Sequence, residues 1–212
     1  MKRISVKKMV TLAMLAAIAY LMVNLIRIPV VLFLKYEPKD VIITIGGFLF
    51  GPMAAFIVSG IVSLLEMVTI SETGIVGCIM NLISTCSFAC VAAFVYKKQH
   101  TLKGAITGLG LGSVLMVGTM LLWNWLITPL YMGVDRATVE GMLIPAFLPF
   151  NLLKAGLNSA LIIGLYKPLS SALRKVGLIE THAKSSKIGV YLFAGALLIT
   201  CILLLLVFQG KL

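Results

Sequence analysis

Long apolar runs alternate with short polar segments along most of the chain. Runs long enough to cross about 30 Å of hydrocarbon, at about 1.5 Å per helical residue, lie at 10–28, 53–70, 75–95, 104–131, 147–166 and 188–209. A shorter apolar run, 41–50, ends at Gly51-Pro52, where a helix cannot continue smoothly. We interpret it as a short or tilted helix that turns directly into the next. Counting it as a crossing gives an all-α membrane protein of seven helices.

The distribution of charge supports this count. If the N-terminus is cytoplasmic and 41–50 crosses, the inner segments contain Lys2, Arg3, Lys7, Lys8, Lys97, Lys98, Lys103, Lys167, Arg174, Lys175, Lys184 and Lys187. Most of the acidic residues then fall in outer loops, with Glu180 as the exception. Because basic residues concentrate in cytoplasmic loops, the pattern predicts a multi-pass protein of the cell membrane with a cytoplasmic N-terminus and an external C-terminus.

Composition excludes several classes of protein. Of the 212 residues, 60% are hydrophobic and only 12% are charged, which is too apolar for a soluble domain. The net charge of +11 is spread over short gaps between apolar runs, so nucleic acid is not an expected partner. The four cysteines lie inside predicted spans and both histidines in loops, which predicts neither a metal site nor a disulfide. Nucleotide-binding and catalytic motifs are missing, so we expect no catalytic residue.

One predicted span carries an unusual set of polar residues. Asn151, Lys154 and Asn158 are spaced i, i+3, i+7 and therefore share one helix face. Lys154 lies roughly 10 Å from the outer end of its span, at about 1.5 Å per residue. Its ammonium could snorkel outward to the surface, but the flanking amides favour a polar pocket within the bundle.

Other polar residues fall in the outer half of the same predicted bundle. Asn124 lies between Trp123 and Trp125, which could instead be an interfacial aromatic belt. Glu66 and Asn81 are further candidates, although Asn81 could serve only as an interhelical hydrogen bond. The outer loop "LFLKYEPKDV" contains alternating charges that either solvate it or allow it to close over a site.

Small residues mark two surfaces for close helix packing. Gly104, Gly108 and Gly112 follow each other at four-residue spacing, which is typical of helix contacts inside a bundle. In "AMLAAIA" of the first span, Ala13 and Ala17 share a face with Ala16 beside them. That face could pack within the bundle or dock another membrane protein.

Four segments carry a resemblance to a known family. "KYEPKD" followed by "IGGFLFGP", then "EMVTISETGIVGCIMN" and "PFNLLKAGLNS", resemble the riboflavin-specific substrate-binding subunit (S component) of energy-coupling factor (ECF) vitamin transporters. The resemblance covers residues 1–175 and implies a six-helix bundle whose outer loop closes over a flavin. It places the family's flavin-binding asparagine and lysine on Asn151 and Lys154, and a second asparagine on Asn124.

The resemblance also implies a mechanism and partners. A flavin needs apolar and aromatic walls with a few fixed polar groups. We expect Lys154, Asn151 and Asn124 to bond its polar groups, with Tyr36, Trp123 and Leu32 as walls or lid. The family uses a transmembrane coupling subunit, for which Ala13, Ala16 and Ala17 are the expected docking face. ATP is used by two ATPase subunits, and this chain needs no cofactor of its own.

The chain departs from the family at its C-terminal end. A six-helix subunit would end near Lys175, whereas this chain continues through a linker, 176–187, into an extra span, 188–209. No charged residue occurs between Ile188 and Phe208, so we expect this helix to be peripheral to binding.

Three functions remain open from the sequence alone. The first is riboflavin uptake, with flavin mononucleotide as a second candidate ligand. The second is uptake of another vitamin, such as folate or thiamine, by the same architecture. The third is a small intramembrane enzyme or channel, which the scarcity of ionisable residues in the spans and the one-sided polarity disfavour.

Overall fold

The computed structural model describes residues 6–31, 34–71, 73–175 and 188–210, which form an antiparallel helical bundle with one short hairpin. The elements in chain order are α1 (Val6–Leu25), β1 (Ile28–Val31), β2 (Leu34–Tyr36), α2 (Lys39–Phe50), α3 (Pro52–Thr69), α4 (Gly74–Thr85), a π-helical segment (Cys86–Cys90), α5 (Val91–Gln99), α6 (Leu102–Met132), α7 (Arg136–Met142), a second π-helical segment (Leu143–Phe147), α8 (Leu148–Lys175) and α9 (Ile188–Phe208). The predicted linker, 176–187, lies outside the described residues.

Six helical stretches of the described chain are long and apolar enough to cross a membrane. They are Val6–Leu25, Pro52–Thr69, Gly74–Gln99, Leu102–Met132, Arg136–Leu165 and Tyr191–Phe208. These stretches confirm the six long runs of the sequence. Their ends differ from the prediction by a few residues, except that the fifth begins eleven residues earlier because α7 and the second π-helical segment lead into α8 without a break.

The short run forms the buried helix α2, as expected. Its 12 residues correspond to about 18 Å, too short to cross alone. It nevertheless joins the two ends of the bundle. At its first residue Lys39 contacts Glu66 near the end of α3, whereas at its last residue the Phe50 ring lies 5.9 Å from the Lys8 ammonium near the start of α1. Gly51 then reverses the chain with a φ of 93°, a backbone conformation that favours glycine.

The loop after α1 forms a short hairpin within the otherwise all-α bundle, a detail that the sequence did not predict. β1 and β2 pair antiparallel, with Ile28 opposite Tyr36 and Pro29 opposite Lys35. Ile28, Val30 and Val31 are β-branched and favour extended backbone, whereas the charges that follow them had indicated only a loop. We call the segment Ile28–Tyr36 the hairpin; Leu32, within it, lies outside the described residues.

The glycines of α6 serve close helix packing, as the sequence predicted. A Cβ added at Gly112 would lie 2.5 Å from the backbone oxygen of Phe88, and one at Gly108 would lie 2.7 Å from that of Ala92. Neither distance is compatible with a side chain. The α6 backbone therefore lies directly against α5 and the first π-helical segment.

The alanines of α1 separate onto two faces. Ala13 and Ala17 are exposed, and large apolar residues such as Met14 and Ile18 are exposed beside them. Ala16 is instead buried, and it packs with Ala19, Val58 and Val62. Its placement in the core corrects the expectation that all three alanines form one docking face.

Gly112→Ala should destabilise the bundle by about 1–3 kcal/mol, because the added methyl group overpacks the contact with Phe88. Gly110→Ala is the matched control, since a Cβ at Gly110 meets nothing within 4 Å. The control should be neutral or stabilise the helix by up to about 1 kcal/mol. Thermal unfolding in one detergent checks both, and equal effects would contradict the packing described here.

Candidate functional site

A cavity opens at the end of the bundle that carries the hairpin. It encloses about 1140 Å³ of empty space, open mouth included. Residues of the hairpin, α3, α4, α6 and α8 line it, among them Arg27, Leu34, Lys35, Glu66, Met80, Asn81, Met120, Trp123, Asn124, Ile127, Phe150, Asn151 and Lys154. Its walls therefore combine apolar and aromatic surface with a few polar groups, as small-molecule sites do.

Lys154 lies inside the bundle and does not snorkel to the surface. Its side-chain Nζ is 3.1 Å from Oδ2 of Asp40, at the start of α2. The Thr85 hydroxyl donates a hydrogen bond of 2.7 Å to the same carboxylate, and the Asn158 amide lies 3.4 Å from it. Asp40 thus fixes the ammonium at the cavity wall through a network that joins three helices.

A second ionic cluster lies beside the first. Lys39 is 1% exposed, and its Nζ is 2.7 and 2.6 Å from the two carboxylate oxygens of Glu66 and 3.1 Å from Glu37. The Arg27 Nε donates to Glu37 at 2.9 Å, and the Asn81 amide donates to Glu66 at 2.8 Å. Glu37 therefore connects the hairpin end to α2, and Glu66 connects α2 to α3 and α4.

Together the two clusters balance three cations, Arg27, Lys39 and Lys154, against three carboxylates, Glu37, Asp40 and Glu66. Removing charges from water costs several kcal/mol per ion, and only close, well hydrogen-bonded partners offset that cost. Every member of the set has such a partner within 3.1 Å. The arrangement is neutral as a whole and is stable only if it is complete.

Ionisation at the hairpin follows from these neighbours. Burial alone would raise the pKa of the Glu37 carboxyl, but the charges of Lys39, Lys154 and Arg27 hold that pKa below its ordinary value. Burial and the charge of Asp40 raise the pKa of the Tyr36 hydroxyl. Tyr36 therefore stays protonated and donates a hydrogen bond of 3.0 Å to the Asn158 oxygen.

The cavity amides have their orientation set by the protein. The amide nitrogens of Asn124 and Asn151 donate at 2.7 Å to the backbone oxygens of Met120 and Phe147, one turn earlier. Because a nitrogen must face a carbonyl, the alternative flip of either amide is excluded by its surroundings. The oxygen of Asn124 accepts from Thr128 at 2.9 Å. The site thus offers amide oxygens as acceptors and the Lys154 ammonium as a donor.

The structure brings together most of the predicted site residues. Lys154, Asn151, Asn124, Trp123, Glu66 and Asn81 all line the cavity. The interhelical hydrogen bond expected of Asn81 is also present. Tyr36 is 4% exposed in an apolar cluster and is not among the lining residues, so its predicted role as wall or lid stays a prediction.

The sequence prediction missed the buried charges at the start of α2. The charged loop had been interpreted as either a solvated segment or a lid, and the burial of Lys39 and Asp40 excludes the first alternative. One signal could have identified them. The apolar run 41–50 is too short to reach the membrane surface, so the charges that precede it must lie within the bundle.

Comparison with known proteins places this fold and cavity in one family. Residues 7–166 match the profile of the ECF transporter substrate-specific component. The chain is 29% identical to the riboflavin transporter RibU of Staphylococcus aureus, over 80% of this chain and 94% of that protein. It is 30% identical to the riboflavin transporter FmnP of Bacillus subtilis, over 70% and 84% respectively.

A solved structure agrees with these relatives. The S component of a bacterial ECF transporter superposes with a TM-score of 0.67 at 29% identity, covering 79% of this chain and 98% of the other. The family match includes the hairpin, α2 and every residue described above as lining the cavity. The chain therefore belongs to the family of substrate-specific components of ECF transporters.

Proposed function

We propose that the chain binds riboflavin in this cavity and delivers it for uptake as the substrate-binding subunit of an ECF transporter. The observation that carries the proposal is the Lys154 ammonium, held by Asp40 at the wall of an otherwise apolar cavity beside fixed amides. Two relatives that match most of the chain are named as riboflavin transporters. In this proposal the chain binds its substrate without transforming it and needs no cofactor.

The chemistry of the ligand matches that of the walls. The flat flavin ring has a polar edge with hydrogen-bond donors and acceptors, and its chain of hydroxyls has both. Lys154 donates to a carbonyl of the ligand, and the amides of Asn151 and Asn124 complete the polar contacts. Trp123, Met120 and Phe150 supply apolar surface for the ring.

The structure favours riboflavin over flavin mononucleotide. Of Lys35 and Lys39, the two lysines near the mouth that could serve a phosphate, Lys39 is already bound by Glu37 and Glu66. Arg27 likewise pairs with Glu37 at the cavity mouth. A phosphate would need cations that these carboxylates neutralise, so the uncharged vitamin is the better fit.

The proposal also includes a membrane topology and partner subunits. We place the cavity end outside, so that the N-terminus is cytoplasmic and the end of α9 is external, as the distribution of basic residues predicts. A transmembrane coupling subunit receives the loaded chain, and two ATPase subunits supply the energy. The exposed face of Ala13 and Ala17 is the proposed docking surface for that coupling subunit.

Purification in mild detergent tests the proposal directly. We expect the protein to retain a yellow compound that extraction identifies as riboflavin, and the ligand-free protein to quench added riboflavin fluorescence. Colourless protein that does not quench riboflavin would reject the assignment, and parallel titration with folate and thiamine would then test the alternatives.

Lys154→Ala should weaken riboflavin binding by about 2 kcal/mol or more, at least roughly thirtyfold in Kd, since it also leaves Asp40 buried without its cation. Lys103→Ala, exposed at the opposite end of the bundle, is the matched control and should bind normally. Fluorescence titration measures both. Equal affinities would remove Lys154 from the site.

Lys39→Met should destabilise the fold by about 3–5 kcal/mol, because it leaves the Glu66 carboxylate without its cation inside the bundle and Glu37 with Arg27 alone. The double variant Lys39→Met/Glu66→Gln should recover part of that loss, since the unpaired charge of Glu66 is gone. Unfolding midpoints of the wild type, both single variants and the double variant form the cycle. Strictly additive effects would show that the two residues do not act as a pair.

Ala17→Phe should leave riboflavin affinity unchanged but reduce cellular uptake strongly, because the bulky ring keeps the coupling subunit away from α1. Gly118→Phe, on an exposed position of α6, is the control for a bulky residue facing lipid. Binding is measured on purified protein and uptake on cells that contain all subunits. Normal uptake by Ala17→Phe would move the docking surface elsewhere.

A further inference from the structure

The extra helix α9 is attached to the parts of the molecule that form the binding site. Along α8, the helix that carries Lys154, the Cys201 side chain of α9 packs against the backbone at Gly156, where an added Cβ would lie 2.7 Å from its Sγ. Cys201 and Leu205 of α9 are buried in one apolar cluster with Leu153 and Leu157 of α8. The helix α9 is therefore packed against the bundle.

The same face of α9 also holds the hairpin. Val30 of β1 and Leu34 of β2 belong to the apolar cluster that contains Leu205, and Phe208 packs against it. Beyond the last turn of α9, the side-chain amide of Gln209 donates a hydrogen bond of 2.9 Å to the backbone oxygen of Pro29 in β1. The end of α9 is thus bonded to the strand at the outer edge of the hairpin.

The two paired strands of the hairpin connect α9 to the cavity mouth. β1 is paired with β2, and Leu34 and Lys35 of β2 line the cavity mouth. Movement of the hairpin away from α6 and α8 would widen this mouth. That movement must break the contacts of Val30 and Pro29 with α9, or carry α9 with it.

The match to the family does not include these contacts of α9. It ends at residue 166, before α9 begins, so the hairpin lies within the matched residues whereas α9, the sixth of the long helical stretches, lies outside them. The sequence had suggested that the helix is peripheral to binding because it carries no charge. Its apolar contacts act on the site through the hairpin instead.

We propose that α9 is a strap that holds the hairpin closed over the cavity and slows exchange of the bound vitamin. This inference rests on the proposed function, because the molecule being exchanged is taken to be riboflavin. Leu205 and Gln209 are positioning residues in this scheme, since neither touches the cavity. Weakening either should accelerate both release and entry, with less effect on equilibrium affinity.

Two pairs of full-length variants in lipid nanodiscs test the strap. Leu205→Ala removes apolar contact with the hairpin, and Leu203→Ala, at a position 49% exposed on the same helix, is its control. Gln209→Glu keeps the shape of the side chain but loses the donated hydrogen bond, whereas Gln209→Lys keeps a donor. Riboflavin release is followed by fluorescence after dilution, and hydrogen exchange of residues 28–36 is measured without ligand.

We expect release at least about fivefold faster in Leu205→Ala and about threefold faster in Gln209→Glu, the size expected for one exposed hydrogen bond. Hairpin amides should exchange faster in both, and Gln209→Lys and Leu203→Ala should resemble the wild type. Unchanged release and exchange in Leu205→Ala and Gln209→Glu would overturn the strap. Faster release without faster exchange of the hairpin amides would also overturn it, since the faster release would then not arise from a loosened hairpin.

The two proposals fail in different ways. A wild-type protein that binds no riboflavin rejects the proposed function, whereas the exchange of the ligand-free hairpin still decides whether α9 holds it. Normal riboflavin binding with identical kinetics in all variants rejects only the strap.

Discussion

Charge balance inside the bundle is the constraint on which the rest of the structure depends. Lys39 and Lys154 face Glu37, Asp40 and Glu66 in a volume where uncompensated charge is strongly unfavourable, and the exposed Arg27 pairs with Glu37 at its edge. Because Glu37, Lys39 and Asp40 lie together at the start of α2 and their partners come from α3, α8 and the segment before the hairpin, these elements must come together for the buried ions to be tolerated. Each of these polar residues would lower stability if it were buried alone. As a complete set they therefore specify how the helices are arranged.

Some polar groups of this balanced set remain available at the cavity wall. Asp40 fixes the position of Lys154 without removing it from the cavity wall, and Glu66 fixes the amide of Asn81 in the same way. Preorganised groups of this kind lose little conformational freedom when a ligand arrives, which favours tight binding. In the proposed function the pocket therefore selects its ligand through the orientation of its few polar atoms, while its apolar walls supply most of the contact surface.

The sequence predicted the long helices and much of the cavity wall for clear physical reasons. Apolar length identifies a span, and a lysine flanked by amides in such a span identifies a polar recess, so Lys154 and Asn151 were predicted at the cavity, and the family resemblance added Asn124. The pairing partners were not predicted, because period and hydropathy do not say which distant carboxylate meets a given cation. Lys39 and Asp40 lie in a charged loop that the sequence assigned either to solvent or to a lid, and Ala16 differs from Ala13 only in the helix face on which it lies. The hairpin escaped notice because its strands are only four and three residues long.

The shortness of α2 has a consequence for the depth of the site. A helix of about 18 Å spans little more than half of the roughly 30 Å of hydrocarbon. It begins on the hairpin side with the charged residues Lys39 and Asp40. The two short strands of the hairpin occupy part of the remaining depth, and the cavity leaves the other part empty. The cavity opens on the side where that helix starts, among side chains of the hairpin, α3, α4, α6 and α8. Ligand size in such a subunit can be tuned by adding or removing helical turns, with the lining side chains left as they are.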